Sequence, residues 1–561
     1  PASNQNVVRP RPTPPSASRK KLGLSLVSEC DHFGEFEARS RNFIVNFVAL
    51  ETLIKNLGCK KCGGVVNIEE VEGERNGLAS KFCIMCTSCH HDFSVWTSDK
   101  CTGRPNMFET NIRLFYGLRC IGRGLDSGKV LCALLNLPPP STARGKYTDL
   151  LHESIETVAK GSMAAAAKEA VELNLNEPNT DLSIAFDGSW QKRGFRSKNG
   201  YATITNLDTG KVLDTEVLTK FCSGCSKLPK LPPKDNAKKI QHERNCVKNY
   251  EGASGGMEGV GAVTMFNRSI AEKGVRYMEM LGDGDSKAFE RVKSAQPYGP
   301  TFDIRKIECV GHVEKRMGTR LRNLKQKMKG IKLSDDKPLG GAHRLTDKRI
   351  DQLQSYYGKA IRDNSGDLQG MRRAVWATYC HSRSTDEKPE HQLCPEGPNS
   401  WCKYNIAKHE GTLSSFQHKN SLPEPVVEAI RPVYKALVAP DLLRKCLHGK
   451  TQNVNESFNN VVWTRVPKGT FVGKKTLEIG VWDSVLTFND GNKGRLHTLE
   501  QLGVRDLGKF TVRALHRLDL ERLRKAEKAA EDMTKDARVK KRRQMLAEEE
   551  DLNEDYCPGG F

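Results

Sequence analysis

Three compact groups of Cys and His constrain this chain more than any other feature. The first pairs Cys59-x2-Cys62 with Cys86-x2-Cys89. Two Cys separated by two residues grip one metal from a single knuckle, and two such knuckles make a zinc-ribbon spacing. Cys83, His90 and His91 lie nearby, but only Cys86 and Cys89 repeat the pairing. The second group is Cys222-x2-Cys225 followed by His242-x3-Cys246. The Pro- and Lys-rich stretch between its halves, SKLPKLPPKDNAKK, has no means of forming a core without a staple. The third is His381, His391-x2-Cys394 and Cys402, more loosely spaced, with Cys380 as a competitor. The pattern therefore calls for two to three structural Zn2+ ions. A secreted disulfide scaffold is short and spreads its Cys. Here the chain has 561 residues, and half of its 18 Cys are clustered with His.

That length allows several domains at roughly 100–200 residues each. Charged residues make up 28% and the formal net charge is +21, which favours a polyanionic partner. No apolar run reaches the ~18 residues of a membrane span, and no signal-peptide pattern opens the chain, which begins at Pro1.

Composition and periodicity divide the chain into seven parts. Residues 1–28, rich in Pro and Ser with a basic run, read as a flexible basic arm, and 29–105 hold the zinc ribbon. Residues 106–178 read as three short helices with Gly and Pro joints, compatible equally with a helix-turn-helix and with a plain helical linker. From 179 to 331 the period changes to two: LSIAFD, GYATITNL and KVLDTEVLT form a three-stranded meander. A helix near 255–272, strands at 276–283 and 306–311, and the zinc loop 219–252 complete this part. Residues 332–447 read as a helical insertion containing the third zinc group, 448–504 as a return to the core through a helix at 451–463, and 505–561 as a charged helical tail. The tail helix is either solvated or dimer-forming, and VKKRRQ at 539–544 is a candidate nuclear-localisation patch.

The order βββ-α-β-α-β with a late helix fits an α/β, ribonuclease-H-like core interrupted by a zinc loop and a helical insertion. Three acids then stand at defined points: Asp187 at the end of the first strand, Asp283 at the end of the fourth, and Glu456 on the late helix. Asp285 is an alternate to Asp283; the latter directly follows the apolar run, which leaves Asp285 to cap the next helix. On the late helix Val454, Phe458 and Val461 form an apolar stripe, opposed by Asn453, Glu456, Asn459 and Asn460. Converging carboxylates suit two Mg2+ (or Mn2+) ions, hard cations that prefer oxygen ligands. The separations of 96 and 173 residues are long for a bare core, and the zinc loop and the insertion account for them.

The motifs FDGSWQKRG, GASGGMEGVGA, GDGDSK, ECVGHVEKRMGTRLR, AHRLTD, SWCKY and TQNVNESFN, together with the CxxC…HxxxC loop, resemble those of animal Mutator-like DDE transposases, close to the Kolobok type. The resemblance runs from about residue 40 to the end. It implies a DDE triad at Asp187, Asp283 and Glu456, and a supporting CxxH motif at Cys309 and His312 that orients the active site or touches the DNA end. It also implies a nuclear enzyme, at least a homodimer, that binds double-stranded terminal repeats, cleaves at the element ends and joins the 3′-OH to target DNA. A catalytically silent zinc-containing DNA-binding protein and a structure-specific nuclease are the rival readings.

Basic clusters flank the proposed phosphodiester site: Lys192, Arg193, Arg196 and Lys198 after the first acid, and Lys315, Arg316, Arg320, Arg322, Lys325 and Lys327 after His312. Such runs serve either as phosphate contacts or as solvated surface. Trp190 and Trp463 stand near the first and third acids, as stacking platforms for unpaired bases or as ordinary core residues. The zinc ribbon and the helices that follow are the candidates for reading terminal repeats.

Overall fold

A computed structural model describes residues 17–22, 41–191, 197–225, 236–282, 287–397, 400–418 and 421–532. Lys192, Arg193, Arg196, Asp283, Asp285, most of the Pro-rich zinc loop and the 539–544 patch lie outside the described residues.

After α1 (Ala17–Leu22) and α2 (Phe47–Lys55), an antiparallel sheet forms from β1 (Val66–Asn76), β2 (Ala79–Cys86) and β3 (Asp92–Trp96), followed by the hairpin β4 (Lys100–Cys101) and β5 (Arg104–Phe108). The β1–β2 turn requires Gly77. Its φ is +58°, and a Cβ there would lie 2.4 Å from Asn111 Oδ1. This region is nearly neutral, with acidic residues Glu69, Glu70, Glu72 and Glu74 along β1.

The three expected helices form, but the first starts later and the third is long. Residues 106–108 end a strand, α3 (Glu109–Cys120) and α4 (Leu125–Leu134) are short, and α5 (Arg144–Leu173) is one uninterrupted helix of 30 residues. Its small-residue stripe, Ala166, Ala167 and Ala170, packs into the core under the central sheet, beside Ile184 and Phe266. The boundary expected at 178/179 is thus not a packing boundary, because this helix belongs to the sheet's own layer.

The central sheet comprises β6 (Asp181–Trp190), β7 (Asn199–Asn206) and β8 (Val212–Thr219), then β9 (Arg276–Gly282) and β10 (Arg305–Glu308), in the order β10-β9-β6-β7-β8. The first three strands are antiparallel, whereas β9 and β10 run parallel to β6. The connections are α6 (Asn236–Arg244), α7 (Met257–Lys273) and α8 (Lys287–Ala295). Alternation along β6 sends Leu182, Ile184 and Phe186 into the layer made by α5, α7 and α8, and Ala185 to the opposite face with Leu281, Ile307 and Cys309.

Helices α9 (Val310–Lys327), α10 (Asp347–Arg362), α11 (Leu368–Arg383), α12 (Lys403–His409), α13 (Glu424–Leu437) and α14 (Pro440–Arg444) follow. They enclose a separate core that starts at Val310 and ends at Cys446. The insertion therefore begins at α9 rather than at 332, since Val313, Met317 and Leu321 are buried against Leu353, Tyr357 and Ile430. Its two ends are laced together: Glu308 N donates to Lys445 O at 3.0 Å, and Val310 N to Lys450 O at 3.3 Å.

The chain then returns through α15 (Asn453–Arg465), α16 (Lys474–Asn489), α17 (Lys493–Gln501) and α18 (Lys509–Asp532). Helix α16 is buried along almost its whole length, between α5 and the sheet. Part of the arm expected to be flexible is docked here. Lys21 is buried, with its Nζ 3.3 Å from the Phe488 ring centroid, and Arg19 pairs with Glu527 at 3.0 Å. Among the described residues, no helix is long and apolar enough to cross a membrane.

Candidate functional site

Helix α15 lies across the end of β6, tied to it residue by residue. Gln452 Nε2 donates to the Phe186 carbonyl at 2.7 Å, Asn459 Nδ2 to Asp187 Oδ2 at 2.6 Å, and Trp463 Nε1 to Ser189 Oγ at 2.8 Å. Thr205 Oγ1 donates to Asn455 Oδ1 at 2.7 Å, and Tyr201 OH to Asn459 Oδ1 at 2.5 Å. Burial, and then the charge of Asp187, push the Tyr201 hydroxyl well above its usual pKa, so it stays a donor. Asp187 is half-buried and pairs across the sheet with Thr203.

Glu456 sits in the first turn of α15, exposed, one turn before Asn459. The Asn459 hydrogen bond thus sets Asp187 against α15, the helix that carries Glu456. The second acid, Asp283 or Asp285, lies outside the described residues. Strand β9 ends at Gly282, and the preceding Leu281 pairs with Ala185, two residues before Asp187.

The helix is rotated from its expected setting. Asn455, Phe458 and Val462 are its buried residues, Val454 and Val461 are partly buried, and Asn459 of the expected polar face meets Asp187. Hydrogen-bonding amides occupy positions that a hydrophobic stripe would leave polar and outward.

Cys309 is the buried N-cap position of α9, and its Sγ accepts from Gln452 N at 3.4 Å. The thiol thus joins the end of β10 to the residue that holds α15 on Phe186. His312 lies half-buried in the first turn of α9.

The basic residues divide. Lys315 and Arg320 are exposed on α9, but Arg316 pairs with Glu308 at 2.7 Å, Lys325 with Asp347 at 3.0 Å, and Arg322 with Asp351. Lys198 sits over Phe221 at 4.3 Å and Phe471 at 5.2 Å. The Trp190 ring lies on Gly200, where a Cβ would come within 1.8 Å of it. Trp463 packs on Tyr201 at 5.5 Å, with Lys468 over its ring at 5.0 Å.

All three Cys/His groups assemble. In each, the four ligand atoms lie within 4.8 Å of one another. Cys59 and Cys89 Sγ are 3.7 Å apart, Cys62 and Cys86 Sγ 3.5 Å, and Cys225 and Cys246 Sγ 3.4 Å. A tetrahedron with Zn–S bonds near 2.3 Å has edges of about 3.8 Å, whereas a disulfide needs about 2.05 Å. The clusters therefore fit zinc. Cys222 and Cys225 face His242 Nε2 at 3.9 and 3.2 Å. In the third group Cys402 Sγ is 3.4 Å from His391 Nδ1 and 3.8 Å from His381 Nδ1. Backbone N–H groups of Cys89 and Ser88 aimed at Cys86 help hold its thiol down at about 6, against the opposing effect of burial.

A supporting shell went unread in the sequence. His391 turns its other nitrogen, Nε2, to Ser384 Oγ at 2.8 Å and to His418 at 2.9 Å, and His418 Nδ1 meets Asp386 at 2.5 Å. Outer partners of this kind fix the orientation of a ligating imidazole. Gln452 was also unread, since an isolated Gln carries no periodic signal.

A family model for Mutator-like transposases matches residues 41–402, well over half of the chain, and the chain belongs to this family. The match covers Asp187 and all five strands of the central sheet, but ends before α15 and Glu456. No curated protein and no solved structure matches the chain.

Proposed function

We propose that this chain is a DDE DNA transposase related to the animal Kolobok elements, with a ribonuclease-H-like core and Asp187, Asp283 (or Asp285) and Glu456 as its catalytic acids. The observation that carries this reading is the Asn459–Asp187 hydrogen bond, which sets the helix of Glu456 against the strand of Asp187. The sheet order supports it too, with three antiparallel strands followed by two parallel ones on the β6 side. The donor set, carboxylate oxygens at a sheet edge, suits Mg2+ or Mn2+. Two such ions held there would activate the attacking oxygen and stabilise the leaving one.

The protein's own groups then have defined tasks. Asn459 fixes the rotamer of Asp187, and Gln452 and Cys309 hold α15 at the strand end. Lys315 and Arg320 offer phosphate contacts. Water attack at the element end frees a 3′-OH, which attacks target DNA, so no protein–DNA covalent intermediate forms. Two ends require at least a dimer, and the substrate places the enzyme in the nucleus.

The test supplies duplexes carrying an element end, with Mg2+, to the wild type and to Asp187→Ala and Glu456→Ala. Cleavage and strand transfer by the wild type, lost in both variants with DNA binding retained, is the expected result. Cleavage that survives either substitution overturns the assignment. Cleavage without joining of pre-cleaved ends indicates a nuclease instead.

A further inference from the structure

The helical insertion contains a cavity of about 1210 Å³ between α10, α11 and the segment that carries the third zinc group. Its wall combines two kinds of side chain. Arg349, Arg373 and Lys403 supply positive charge, and Tyr356, Trp401 and Phe416 supply aromatic faces. Among the described residues, no carboxylate stands within ion-pair distance of those three cations, and the buried Arg349 Nε has no hydrogen-bond partner. Of the two acids on the wall, Asp363 is offset by Lys359 at 4.0 Å.

The aromatic faces are held in place. Trp401 is 37% exposed, yet its ring meets His381 edge-on at 5.1 Å. Phe416 stands edge-on to Tyr404 at 5.5 Å and to His418 at 5.0 Å. Arg349 Nη1 donates to Gln352 Oε1, and Gln352 Nε2 donates to Tyr356 OH, each at 2.6 Å. Cations with no carboxylate counter-ion, beside held and accessible aromatic rings, suit a strand whose phosphates need neutralising and whose bases have lost their stacking partners. A purely apolar ligand would leave these cations without a counter-charge, and a duplex would bury its base faces against itself.

We propose that this cavity binds unpaired nucleotides of a DNA strand. The inference rests on the transposase reading for its partner, but it concerns a surface remote in sequence from Asp187.

The test uses the full chain and two fluorescent duplexes of identical sequence, one blunt and one with a short single-stranded oligothymidine tail. Binding is measured at several salt concentrations for the wild type, Trp401→Ala, Trp401→Phe and the double variant Arg373→Gln/Lys403→Gln. Zinc content and the far-ultraviolet spectrum show whether each variant is folded. The wild type should prefer the tailed duplex by about tenfold, the scale of one stacked base. Trp401→Ala should lose that preference, Trp401→Phe should keep most of it, and the double variant should weaken tail binding and its salt dependence. All should bind the blunt duplex as the wild type does. If the wild type shows no tail preference, or the folded variants keep it in full, the cavity proposal is overturned and the transposase reading stands. If the wild type binds neither duplex, both fall.

Discussion

Asn459 donates its side-chain N–H to Asp187 Oδ2 across 2.6 Å and receives the Tyr201 hydroxyl on its own oxygen at 2.5 Å. Both amide atoms are satisfied, so the group has one orientation and the carboxylate one rotamer. Replacing Asn459 with Ala frees Asp187 while leaving every acid in place. Strand cleavage should fall roughly 10–100-fold, the usual cost of losing an outer partner. DNA binding, followed by fluorescence anisotropy, should be unchanged.

Metal analysis of the purified protein should find three zinc ions per chain, one for each group. Cys402→Ser should leave two. Because Cys402 faces both histidines of its group, that loss should lower the unfolding temperature of the insertion specifically, as read by hydrogen exchange over α11 and α12. Chelation of the wild type should reproduce the effect.

Asp483 is buried on α16 between Arg465 and Arg495, and accepts from Tyr116 OH at 2.8 Å. Burial opposes its ionisation, but the two guanidiniums prevail and hold its carboxyl well below the ordinary range. A depressed carboxylate contributes stability above its unfolded pKa of about 3.9, and that stability is lost as pH falls toward the folded value. Asp483→Ala should cost about 3–5 kcal/mol, because it strands two buried cations. Denaturant midpoints measured from neutral pH into acid should fall for the wild type and less steeply for the variant.

Lys21 behaves in the opposite sense. Burial first, then Arg522 and Lys211, lower its ammonium to about 6. An unfolded Lys titrates near 10.4, so between these values the undocked arm binds more protons than the docked one, and docking strengthens as pH rises. Protection of residues 17–22 from proteolysis should therefore increase from pH 6 to pH 9. Lys21→Met should remove most of that dependence.

The zinc groups were legible because ligand spacing is a local property of the chain, and CxxC knuckles hardly depend on what surrounds them. The meander was legible because β6 alternates apolar and polar residues and short polar joints set it apart from β7 and β8. Helix α5 was legible as a helix but not as part of the sheet's layer, because an alanine stripe looks the same in a linker as beneath a sheet. The small rotation of α15 was hidden because Asn455 is buried on a hydrogen bond from Thr205, which periodicity does not register. Lys21 was assigned to a loose arm for the same reason, since its burial depends on Phe488, which is distant in sequence.

The lacing of Glu308 to Lys445 and of Val310 to Lys450 makes the helical insertion leave and re-enter the sheet through a single doorway. With the threshold fixed, everything beyond it is free to lengthen, shorten or be exchanged over evolutionary time without shifting the strand end where Asp187 stands or the helix that carries Glu456.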